Sequence, residues 1–121
     1  HLTFFNDAGF GLHLLGHWVR ERGALSLAEA VRRLTSHPAS VFGIRQRGAL
    51  KPGHYADLLL FDPASVDRGP KQPVFDLPGG HPRLTTAAKG VEGVWVNGVR
   101  LEAGLDGKTG RPGRLLRDFS A

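Results

Sequence analysis

The chain has 121 residues, 40% of them hydrophobic and 22% charged, with a formal net charge of +5. That length suffices for one domain with a buried core, and no apolar run approaches the ~20 residues of a membrane-spanning helix. Without cysteine, disulfides and thiolate metal ligation are excluded.

The positive charge invites a nucleic-acid partner, but the arginines are scattered from Arg20 and Arg22 to Arg114 and Arg117. Pairs such as Arg32-Arg33 suit a solvated helix face, so neither nucleic acid nor membrane is expected as a partner. No signal-peptide pattern is visible, and a cytoplasmic location is the expectation. The sequence contains no methionine, from which we expect a truncated or processed product.

Leu12, Leu15, Trp18 and Val19 recur at three- and four-residue spacing, which predicts a helix over residues 11–19, stopped by Gly23. Ser26-Leu27-Ala28-Glu29 forms a capping box, in which the serine hydroxyl accepts from the Glu29 amide and Glu29 reaches back. The helix it opens carries Leu27, Ala30, Val31 and Leu34 on one side and Arg32 and Arg33 outside. Pro38 suits the first position of a short helical turn reaching Phe42 and ended by Gly43.

After Gly43 the pattern changes to strands and turns. Residues 44–50 and 56–61 read as strands, and Leu58-Leu59-Leu60-Phe61 is continuously apolar, as in a strand covered on both faces. Residues 63–90 hold most of the prolines without a sustained period, which predicts a long loop. Val94 to Leu101 reads as a β-hairpin with Asn97-Gly98 at its turn, where both residues need positive φ. The tail over residues 110–117 is expected to be extended and to pack through Leu115 and Leu116. Two or three helices with so few strands cannot close a barrel alone. Either they form a small α+β unit, or they pack against something else.

Candidate chemistry is sparse. His13 and His17 stand one helical turn apart, a spacing that can chelate a metal, but Leu14 occupies the position of the zincin glutamate and no third ligand is evident. Packing is the favoured role for both. Asp57 and Asp62 flank the apolar strand about 17 Å apart, too far for shared acid–base work, and read as anchors for backbone amides. Gly48, Gly53, Gly93 and Gly98 serve turns, with no phosphate-loop spacing; Trp95 reads as core, and Asp7 suits a helix cap.

One stretch carries more information than the rest: Gly48-Ala49-Leu50-Lys51-Pro52-Gly53-His54-Tyr55-Ala56-Asp57-Leu58, running on to Asp62. It resembles the stretch by which amidohydrolase-superfamily enzymes return from the catalytic barrel to a small β-sandwich. His17-Trp18-Val19-Arg20-Glu21-Arg22-Gly23, Ala30 to Thr35, Val96-Asn97-Gly98-Val99 and Thr109 to Arg114 add a resemblance to the N-acyl-D-amino-acid deacylase (D-aminoacylase) branch. The resemblance implies an α+β fragment of a larger enzyme. Residues 1–43 would be the terminal helices of a (β/α)8 barrel, and residues 44–121 the C-terminal part of a composite β-sandwich with the long loop at 63–90.

It further implies a zinc-dependent hydrolase acting on N-acyl (D-)amino acids or similar linear amides. Its zinc, whose bound water would ionise near neutral pH, is held upstream of this chain. The metal ligands and the catalytic aspartate, in a Ser-Asp-x-Gly-x-His context ahead of His1, are absent here, so no catalytic or metal residue is assigned and the chain alone is expected to be silent. His1 would contact substrate at the rim of the site, and Phe4 and Phe5 would line an acyl pocket. The implied partners are the remainder of the barrel and the small-molecule substrate, and self-assembly into a homo-oligomer is left open. The competing reading is a freestanding, non-catalytic α+β interaction module.

Overall fold

The computed structural model describes residues 9–101, 111–117 and 119. The chain divides into two compact units, one from residues 1–25 and 62–90 and the other from 26–61 and 91–121.

In the first unit, Gly9 (φ 81°) leads into helix α1, Phe10–His13, which continues as a wider π-helical segment, Leu14–Glu21. The wide turn is visible at its end, where the Arg22 amide donates to the His17 carbonyl at 2.9 Å. Gly23 (φ 59°) stops the helix in the left-handed conformation expected of it. The helix packs on a hairpin of β2, Asp67–Val74, and β3, Arg83–Lys89. Its register runs from Asp67 opposite Lys89 to Val74 opposite Arg83, with an irregularity between Arg68 and Lys71. Leu15 and Val66 are buried, and a Cβ on Gly16 would lie 2.8 Å from the Asp67 carboxyl and the Val66 carbonyl, so only glycine permits this approach.

Residues 63–90 are therefore a twisted-back hairpin and not the long loop expected from sequence. Pro70 and Pro73 within β2 conceal it. A two-stranded sheet consists of edges alone, and edges tolerate prolines that a central strand excludes.

In the second unit, α2, Leu27–Leu34, is capped as predicted, with Ser26 Oγ accepting from the Glu29 amide at 3.2 Å. Glu29 does not reach back; its carboxylate binds Arg32 and Arg33 at 2.7–3.0 Å. Helix α3, Ser36–Val41, begins two residues before Pro38, and Gly43 (φ 65°) follows its end. Ala30 and Ala39 are buried.

The strand expected over 44–50 is absent. Gln46 (φ 57°) and Gly48 (φ 76°) take left-handed conformations that turn the chain, and a Cβ on Gly48 would sit 2.8 Å from the Thr35 carbonyl. The sheet of this unit has the order β1 (Leu58–Phe61), β4 (Val91–Val96), β5 (Val99–Arg100), all antiparallel. Leu58 pairs with Trp95, and β4 and β5 join through Asn97 (φ 50°) and Gly98 (φ 81°), the predicted hairpin turn. Leu58, Leu59 and Leu60 are 36%, 48% and 50% exposed, so the apolar strand lacks the two-sided cover its sequence suggests.

Candidate functional site

His1, Phe4 and Phe5, the expected substrate contacts, and Asp7, the expected cap, lie outside the described residues. What the structure shows begins with the helix that follows them. Phe10 is exposed at its start. His13 and His17 share one helix face, their rings parallel within 5° and 4.9 Å apart. His17 Nδ1 lies 2.8 Å from Glu21 Oε2, and its ring meets Trp18 edge-on at 5.3 Å. This row is a stacked helix face. Among the described residues, no group of three or more His, Asp or Glu side chains could hold a metal ion.

Among the described residues, the second unit holds a linked polar constellation. Arg47, 13% exposed, stacks on the Tyr55 ring at 4.2 Å, forms an ion pair with Asp57, and donates from Nη2 to Asn97 Oδ1 at 2.7 Å. Asp57 Oδ1 accepts from the Asn97 amide at 2.8 Å, and Asn97 Nδ2 donates to the Pro112 carbonyl at 2.5 Å. Partial burial pushes the Asp57 carboxyl up, but the Asn97 amide and the Arg47 guanidinium outweigh it and hold the group below the usual carboxylate range.

Asp62 likewise anchors backbone: Oδ1 accepts from the Ala64 amide at 2.9 Å and Oδ2 from the Ser65 hydroxyl at 2.6 Å. Both aspartates thus anchor turns, as their spacing predicts, and neither is placed for acid–base chemistry. Sequence reading missed Arg47 as the hub, although it directly precedes the informative stretch that begins at Gly48.

A shallow, mainly apolar depression of about 660 Å³ lies between α2 and the turn at Gly48, lined by Leu27, Val31, Thr35 and Ala49. Among the described residues its lining holds one charged side chain, Arg32, beside the hydroxyl residues Thr35 and Ser36, and no His, Asp or Glu.

Residues 3–101 match the model of the amidohydrolase family, and the chain belongs to that family. It is 40% identical over 105 residues to N-acyl-D-glutamate deacylase, and 36% identical over 104 residues to N-acyl-D-aspartate deacylase, both of Alcaligenes xylosoxydans xylosoxydans. Each match covers 86% of this chain and 19% of the relative. The crystal structure of N-acyl-D-glutamate deacylase from Bordetella bronchiseptica, complexed with zinc and a phosphonate mimic of the tetrahedral intermediate, is similar with a TM-score of 0.69 and 39% identity. That match covers 91% of this chain and 21% of the structure. The chain thus spans about a fifth of the length of the relatives it matches.

Proposed function

We propose that this chain is the C-terminal portion of a zinc-dependent amidohydrolase that cleaves the amide bond of N-acyl (D-)amino acids in the cytoplasm. Residues 1–43 complete its (β/α)8 barrel and residues 44–121 contribute strands to a β-sandwich. The observation that carries this reading is identity to deacylases across most of this chain, while each deacylase extends several-fold further. The half-exposed leucines of β1 add a physical reason, since an apolar strand this open gains from cover by further structure.

The described residues do not suit zinc: no cluster of three or more His, Asp or Glu is present among them. In this proposal the metal belongs to the barrel outside this chain, and this chain alone is catalytically silent. What it supplies is the rim, with His1 reaching the substrate and Phe4 and Phe5 lining the acyl pocket, and the packing that holds the barrel's last helices.

The test is hydrolysis by the whole protein, metal-replete, of N-acetyl-D-glutamate, N-acetyl-D-aspartate, an apolar N-acetyl-D-amino acid and their L-enantiomers. Release of free D-amino acid, abolished by chelation, is the expected result. A protein inert towards every N-acyl amino acid overturns the proposal.

A further inference from the structure

Asn97 precedes Gly98 at the tip of the β4–β5 hairpin. Asparagine before glycine is the dipeptide most prone to deamidation, because glycine places no side chain in the way of ring closure. The glycine nitrogen loses its proton and attacks the asparagine Cγ, and ammonia leaves with the former Nδ2. Water then opens the cyclic imide to aspartate or isoaspartate.

We propose that Asn97 is a latent modification site, chemically primed for this reaction and latched against it by three contacts. The first latch is on the nucleophile: the Gly98 amide donates to the Ala56 carbonyl at 2.9 Å, and turning towards Cγ breaks that bond. The second and third are on the electrophile, whose Oδ1 accepts from Arg47 at 2.7 Å and whose Nδ2 donates to the Pro112 carbonyl at 2.5 Å. The same Arg47 contact primes the group. A guanidinium on Oδ1 polarises the carboxamide and stabilises the oxyanion that forms during attack. Release of the segment around Pro112 together with opening of the Gly98–Ala56 hydrogen bond therefore leaves an activated carboxamide beside a free glycine nitrogen.

The products cannot restore the contact to Pro112. Either one replaces the Nδ2 donor to Pro112 with a carboxylate and sets that charge near Asp57, which already accepts from the residue-97 amide. Isoaspartate also lengthens the backbone inside a two-residue turn, which the pairing of Val96 with Val99 does not accommodate. Modification at this position makes loss of the tail contact permanent.

The experiment is peptide mapping of the whole protein after prolonged incubation at mildly alkaline pH, native and in urea, scoring aspartate and isoaspartate at position 97. Because reaction must await opening of the hydrogen bonds, the native protein is expected to convert at least ~10-fold more slowly than the unfolded chain. The D57N variant, which loses the ion pair with Arg47 and weakens the hold on the Asn97 amide, is expected to convert faster than wild type under native conditions. Should D57N fail to fold, the wild-type comparison still decides. Equal rates in native and unfolded wild type, or a folded D57N no faster than wild type, overturn the proposal.

Discussion

Arg47 donates from Nη2 to Oδ1 of Asn97 at 2.7 Å, joining residues 50 positions apart. Asp57 binds both partners, so a turn, a strand entry and a hairpin tip share one node. The node is imperfect, since the buried Nε of Arg47 has no hydrogen-bond partner among the described residues. Replacing Arg47 with methionine preserves the stem but leaves the Asp57 carboxylate without its guanidinium. We expect a loss of about 2–3 kcal/mol in denaturant unfolding of the whole protein. Arg47→Lys, a single point charge that cannot serve both acceptors, should fall between the two.

Acid should loosen helix α2 through one carboxylate. Hydrogen bonds from Arg32, then Arg33, lower Glu29 from the ordinary 4.5 to about 2. A carboxyl lowered on folding contributes stability that is complete above its unfolded value and lost as pH falls through the folded one. The contribution should therefore fade between about pH 4.5 and pH 2, with Asp57, Asp62 and Asp76 lowered in the same direction. Thermal unfolding followed across this range should be less pH-dependent in Glu29→Gln than in wild type.

Two glycines of the informative stretch should respond differently to alanine. Both are left-handed, Gly48 at φ 76° and Gly53 at φ 83°, so each substitution costs about 1–2 kcal/mol in backbone strain. A Cβ on Gly53 meets nothing within 4 Å, whereas one on Gly48 meets the Thr35 carbonyl at 2.8 Å and Ala39 Cβ at 2.9 Å. Gly48→Ala should be the more destabilising by equilibrium unfolding, and equal losses would contradict the packing described for this turn.

Ser26→Ala removes the acceptor of the Glu29 amide and should cost about 1 kcal/mol, whereas Ser26→Asp should retain most of the cap. Unfolding midpoints of the two variants check this directly.

Legibility in the sequence followed how locally each element is determined. Asn97-Gly98 and Ser26 with Glu29 were readable because a φ requirement and an unpaired helix amide are satisfied within a few residues. Strands β2 and β3 were not, because their pairing is supplied by each other and their prolines carry the opposite local signal. The turns at Gln46 and Gly48 read as strand in the sequence because glutamine does not advertise the positive φ that Gln46 adopts. The apolar spacing over residues 11–19 reads as a helix but does not reveal its π-helical widening, which depends on which carbonyl each amide selects. For the site, the anchoring roles of Asp57 and Asp62 were legible from their spacing, and the hub role of Arg47 was not, since its partners lie 10 and 50 residues away.

Zinc-dependent release of free D-amino acid from N-acyl-D-amino acids is the most direct measurement, made in parallel on the whole protein and on residues 1–121 alone. The account predicts turnover by the former and none by the latter at any zinc concentration. Turnover by residues 1–121 in isolation would contradict it.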